Sequence, residues 1–126
     1  MSDGDGAGVF SPGGVTYLRI PAPEPRITAD FYAAAFGWEV HGSPDSPGFS
    51  DATGRVIGHF LASHEVAGEA GVRPYIYVDR IDSALSVIRA AGGEVVTEPY
   101  PEGDLWVATF RDPAGNVLGL WQRGPR

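Results

Sequence analysis

The side chains of this chain that could recognise or transform a small molecule are arginines and aromatics set at strand spacing. Tyr17 and Arg19 stand two apart in one β-branched and aromatic run, and Arg73, Tyr75 and Tyr77 stand two apart in another. Phe60, Trp106 and Trp121 join them as candidates for lining a ligand cavity. Flat rings stack on aromatic or heterocyclic compounds, while a tyrosine hydroxyl or a guanidinium can polarise a carbonyl or stabilise an oxyanion. For each aromatic the competing role is packing between modules. Arg19 and Arg73 are harder to dismiss, since a buried guanidinium needs either a protein carboxylate or an anionic group of a ligand.

Other chemistry finds little support. The sequence has no cysteine, which removes disulfides, thiolate metal ligands and a cysteine nucleophile. Gly48-Phe-Ser50-Asp-Ala lacks the last glycine of a nucleophile elbow. The glycines around Asp5 have neither a preceding strand nor a following helix, as a phosphate loop would. Asp79 and Asp82 fall where they would cap a helix. Strand alternation points His59 to the face opposite Gly58 and away from the cavity, and His41 and His64 fall at a strand end and in a linker. A general base near neutral pH is then missing unless His59 or a glutamate turns inward.

Composition sets the class. At 126 residues and 43% apolar content the chain is one domain's worth with a real core. Its net charge of −7, with nine arginines and no lysine, argues against nucleic acid as a partner. No apolar run is long enough to cross a bilayer and no signal-peptide pattern opens the sequence, so no membrane partner and a cytoplasmic location are expected. Residues 1–14 read as a flexible lead-in and 15–126 as the domain.

The elements that must position these residues come from an internal repeat. Phe49-Ser-Asp51-Ala-Thr-Gly54-Arg-Val56-Ile57-Gly58 returns as Phe110-Arg-Asp112-Pro-Ala-Gly115-Asn-Val117-Leu118-Gly119. Each copy reads as strand, Asp-opened turn closed by glycine, strand, with Pro113 suited to a type I turn. Before each copy come a strand (Val15 to Ile20; Arg73 to Val78), a helix and a short strand. The first helix opens at Pro25, carries Ile27, Phe31, Ala34 and Ala35 on one face and stops at Gly37. The second carries Ile81, Ala84, Leu85, Ile88 and Ala91 and ends at Gly92-Gly93, followed by a strand from Glu94 to Thr97 and another from Leu105 to Phe110.

The fold class is therefore α+β: paired βαβββ modules, 15–63 and 73–122 with His64 to Val72 between them, forming a curved, mainly antiparallel sheet around a cavity. With Leu18 and Ile20 packed on the helix, strand parity puts Val15, Tyr17 and Arg19 on the cavity face, with Arg73, Tyr75 and Tyr77 in the second copy. Val56, Gly58 and Phe60 are assigned to the same face, as are Val117, Gly119 and Trp121.

On Tyr17-Leu-Arg-Ile-Pro21, Phe31-Tyr32, Phe36-Gly-Trp38 and Phe110-Arg-Asp-Pro-Ala-Gly-Asn116, the chain resembles the vicinal oxygen chelate superfamily of glyoxalase I, extradiol dioxygenases and bleomycin-resistance proteins. The resemblance covers residues 14 to 122 and implies a homodimer. In the superfamily's metal enzymes a divalent ion is held by His or Glu at positions that correspond here to Val15, Gly58, Arg73 and Gly119. None of the four can ligate a cation, so neither metal nor other cofactor is expected. The leading expectation is a metal-independent protein that sequesters an aromatic or heterocyclic compound. The alternative is a lyase, isomerase or dioxygenase-like enzyme with a non-standard or metal-free site, and a third is a structural or regulatory dimer.

Overall fold

The computed structural model describes residues 7–66 and 68–126. Residues 1–6 of the expected lead-in lie outside these, and Ala7–Val9 form one 3₁₀ turn. The chain divides after Glu65 into two compact units. The first runs β1 (Tyr17–Pro21), α1 (Pro25–Phe36), β2 (Glu39–His41), β3 (Gly48–Ser50), β4 (Ile57–Leu61). The second runs β5 (Tyr75–Tyr77), α2 (Ile81–Ala90), β6 (Glu94–Glu102), β7 (Leu105–Arg111), β8 (Val117–Arg123). Each is a βαβββ unit with one four-stranded sheet, in the order β1-β4-β3-β2 and β5-β8-β7-β6. The outer pairs β1–β4 and β5–β8 are parallel and the rest antiparallel.

Helix α1 begins with Pro25, whose missing N–H costs nothing there, and ends at Gly37, left-handed at φ 72°, whose N–H donates to the Ala33 carbonyl. Its buried face differs from the expected one. Ile27 is 53% exposed and Ala34 is exposed, while Thr28, Ala29, Phe31 and Tyr32 are buried. Stacking decides the phase: Tyr32 lies 4.6 Å from the Trp38 ring and 5.8 Å from Phe60, and Phe49 lies 4.7 Å from Trp38 and 5.0 Å from Phe60. Burying four rings outweighs burying one isoleucine. The core of the second unit is largely aliphatic, with Ile81, Leu85 and Ile88 buried from α2 and Ala108, Phe110, Leu118 and Leu120 from β7 and β8.

Neither Asp79 nor Asp82 caps α2. Arg80 occupies the N-cap without a side-chain bond, and the Ile81 N–H donates to Gln122 Oε1 at 2.7 Å in a buried setting. Asp82 instead pairs with Arg126 at 3.0 Å. A neutral amide on β8 reaches the orphan donor without the desolvation that a buried carboxylate would suffer.

The two hairpin turns share their chemistry but not their length. Asp112 Oδ1 accepts from the N–H groups of Ala114, Gly115 and Asn116, and Asp51 Oδ1 from Thr53 N, Thr53 Oγ1 and Val56 N. In the second unit the pair closes as Asp112 N to Asn116 O; in the first it closes as Asp51 N to Val56 O, one residue later. Ser50 therefore faces Ile57, whereas Arg111 faces Val117. A slip of one residue inverts every side chain of the returning strand.

That inversion corrects the parity assigned to β4. Leu18 is paired with Gly58 and Ile20 with Phe60, so Gly58 and Phe60 lie on the helix side, where Phe60 is wholly buried. Ile57 and His59 share the opposite face with Tyr17 and Arg19.

Gln122→Ala should lower unfolding stability by about 1–2 kcal/mol, the cost of an orphaned helix N–H, while Asp79→Ala stays within about 0.5 kcal/mol. Urea denaturation checks both, and equal effects would count against the cap assignment. A Cβ on Gly58 would run into the Leu18 carbonyl oxygen and sit 2.6 Å from the Phe49 ring. Gly58→Ala should thus cost about 1–3 kcal/mol in the same assay. Gly119→Ala should cost less, because the obstacle there is the ring of half-exposed Tyr75 and not backbone.

Candidate functional site

On the second unit, the face of the sheet turned away from α2 carries a cleft of ≈ 380 Å³ lined by Tyr75, Glu102, Leu105, Val107 and Trp121. Register explains the grouping: Tyr75 faces Gly119, Tyr77 faces Trp121, and Trp121 and Arg123 face Val107 and Leu105. Tyr75 lays its ring over Gly119, where any Cβ would collide with it. Tyr77 meets Trp121 edge-on at 4.8 Å. Tyr75 and Tyr77 remain 43% and 47% exposed, a large area of aromatic surface for a folded chain.

Polar groups stand beside these rings. Arg73 Nη2 donates to the Glu69 carbonyl at 2.9 Å, while its Nε is buried and has no partner among the described residues. The Glu69 carboxylate turns elsewhere, 3.8 Å from Arg111, which also holds Glu94 at 2.9 Å. The Tyr100 hydroxyl donates to Glu102 at 3.4 Å. Partial burial, then the Glu102 carboxylate and Tyr75, hold the Tyr100 phenol above its ordinary value, and the Arg73 charge acts in the opposite sense. Tyr100 thus stays a hydroxyl donor through neutral pH.

Of the aromatics and arginines expected together, Tyr75, Tyr77 and Trp121 share this face; Arg73 precedes β5 and does not line the cleft, although its charge acts on Tyr100. Trp106 does not: it pairs with Gln122, on the helix side, and Arg126 lies over its ring at 5.1 Å. Phe60 is core, as described above. Glu102, Leu105 and Val107 were not anticipated as lining residues, nor Tyr100 as their neighbour. Pro99 and Pro101 argue against a strand beyond Thr97, yet β6 runs on to Glu102, because it is the edge of its sheet and shifts register at Val95/Thr97 and Thr97/Tyr100.

Tyr17 and Arg19 belong to the first unit's corresponding face, with Arg19 leaning over the Tyr17 ring at 5.9 Å. The Tyr17 hydroxyl is 2.9 Å from His59 Nδ1. His59 is therefore not turned away from Tyr17, and the one-residue turn extension is the reason.

The superfamily's metal positions do not fit a divalent ion. Val15, Gly58 and Gly119 offer no side-chain donor, Arg73 is a cation, and Gly58 sits under Phe49 on the helix side, where even a carboxylate would point into the core. No helix among the described residues is long and apolar enough to cross a membrane.

Comparison with known proteins agrees with the fold. The chain is 28% identical over 136 aligned positions to the anthracycline biosynthesis protein DnrV of Streptomyces peucetius, which accounts for 91% of this chain and 49% of that protein. It spans about half the length of the curated relatives it matches. Among solved structures it superposes with TM-score 0.72, at 22% identity, on a glyoxalase/bleomycin resistance protein/dioxygenase family enzyme from Burkholderia phytofirmans PsJN, covering 86% of this chain and 97% of the other. The fosfomycin resistance protein FosX of Mesorhizobium loti superposes with TM-score 0.71 at 11% identity, over 89% and 93% of the two chains. The model of the glyoxalase-like domain matches residues 17–120, nearly the whole of both βαβββ units. The chain belongs to the glyoxalase-like domain family, within the vicinal oxygen chelate superfamily.

Proposed function

We propose that this protein binds a flat aromatic or heterocyclic small molecule without a metal, in the cleft on the second unit's sheet, with Arg73 as the polar anchor. The observation that carries this is the buried Arg73 Nε, which has no partner among the described residues and belongs to a guanidinium whose charge reaches Tyr100; Arg73 itself stands two residues along the chain from the Tyr75 that walls the cleft with Trp121. A buried donor left unmade costs free energy that a bound carbonyl or anion would recover. The cleft volume lies in the range of small-ligand sites. Relatives named for anthracycline biosynthesis support the same ligand class, since anthracyclines are fused-ring aromatics.

An enzyme is the second reading, favoured by the Tyr17–His59 hydrogen bond, which supplies an acid–base pair on the first unit's face. Turnover of a bound compound, lost in His59→Gln, would select it over simple sequestration.

Quenching of tryptophan fluorescence by a hydroxyanthraquinone carboxylate tests the binding reading. Saturable quenching is expected, weakened about 10- to 100-fold in Arg73→Met, the loss of a charge-assisted contact. Trp121→Leu should remove most of the quenching signal. If Arg73→Met instead lowers thermal stability and leaves affinity unchanged, the arginine is structural and not an anchor. The homodimer implied by the superfamily is proposed as well: the exposed aromatics Tyr17, Tyr75 and Tyr77 are surface that a second copy would bury. Light scattering at micromolar concentration should give twice the chain mass, and a monomeric mass would remove the proposal.

A further inference from the structure

One row crosses the first unit's sheet from edge to edge: Arg19 on β1, His59 on β4, Gly48 on β3, His41 on β2. The backbones of His59 and His41 are separated by two strand spacings, about 10 Å. Their rings nevertheless lean together over the glycine between them. A Cβ placed on Gly48 would stand 2.9 Å from His41 Cε1, 3.2 Å from His41 Nδ1 and 3.3 Å from His59 Nε2. Two ring nitrogens thus approach the same point above Gly48, a notch that is open because residue 48 has no side chain.

The third member is Tyr17, whose hydroxyl holds the other nitrogen of His59 at 2.9 Å. A metal-binding histidine characteristically commits its second nitrogen to such a partner, which fixes both tautomer and ring orientation. With Nδ1–H donating to the Tyr17 oxygen, Nε2 presents its lone pair to the notch. Arg19, the nearest cation in the row, lies beyond His59 and leans over Tyr17 instead.

The geometry points to a two-histidine site for a divalent transition metal of borderline softness, formed by His41 and His59 over Gly48 with Tyr17 as positioning residue. Imidazole pairs suit Zn²⁺, Ni²⁺ and Cu²⁺ and not Mg²⁺ or Ca²⁺. No third His, Cys, Asp or Glu joins them among the described residues, so the remaining coordination positions go to water or to an external donor. The site shares no residue with the four superfamily metal positions, and it lies in the unit that does not hold the aromatic cleft.

Isothermal titration of tag-free protein with Zn²⁺, Ni²⁺ and Cu²⁺ in a non-chelating buffer tests this. One saturable equivalent per chain is expected, with Cu²⁺ tightest. His41→Ala and His59→Ala should each weaken binding at least about tenfold, and Tyr17→Phe about tenfold or more by freeing the ring. Gly48→Ala keeps both imidazoles and wedges them apart, so it should also lose binding, whereas His64→Ala should not. Nitrogen hyperfine splitting in the Cu²⁺ electron paramagnetic spectrum should report two imidazoles, falling to one in either histidine variant. Absence of saturable binding overturns the proposal, and so does a stoichiometric site that survives the His41→Ala/His59→Ala double substitution with circular dichroism unchanged. Metal binding should be unaffected by Arg73→Met, which separates this outcome from failure of the aromatic cleft.

Discussion

The hydrogen bonds that an aspartate makes across each hairpin decide which residues of the returning strand meet solvent and which meet the helix. Asp112 gathers the N–H groups of Ala114, Gly115 and Asn116 and closes its turn against Asn116. Asp51 binds Thr53 and Val56 and closes against Val56. Because side chains alternate with a period of two, that difference of one residue is the largest change in chemistry a hairpin can undergo without altering its sequence. In one unit it puts a glycine beneath Tyr75, and in the other a histidine beside Tyr17.

The two faces consequently have different characters. The second unit presents rings and aliphatic side chains with one guanidinium nitrogen, Arg73 Nε, that has no partner among the described residues, a surface suited to stacking and to a single polar contact. The first presents a tyrosine, two histidines and an arginine around a bare stretch of backbone, a surface of lone pairs and donors. Both are built on strands that are paired along at least one edge, which holds their side chains more precisely than loops would. The helix sides are specialised too, with stacked rings under α1 and branched aliphatics under α2.

Much of this was legible in the sequence. The repeat gave the βαβββ order twice, Pro25 and Gly37 gave the ends of α1, and the spacing of Tyr75 and Tyr77 put both on one face of their sheet. Three things were hidden, each for a physical reason. The letters of the two Asp turns align without a gap, so nothing in them shows that one backbone closes a residue later. Helical periodicity put Ile27 on the buried face of α1, whereas the burial of Tyr32 depends on the rings of Trp38 and Phe60, which lie outside the helix. Prolines 99 and 101 concealed the far half of β6, since only its place at a sheet edge makes them tolerable, and with it went Glu102.

The longer turn at Asp51 also bears on how duplicated halves diverge. The two turns carry the same number of residues from aspartate to valine, so closing the backbone one residue later exchanges the inward and outward residues of β4 wholesale with no codon gained or lost. A lineage could in that way acquire or discard a histidine at its surface, with Gly58 and His59 trading places. Substitution counts between relatives of this family would register none of it.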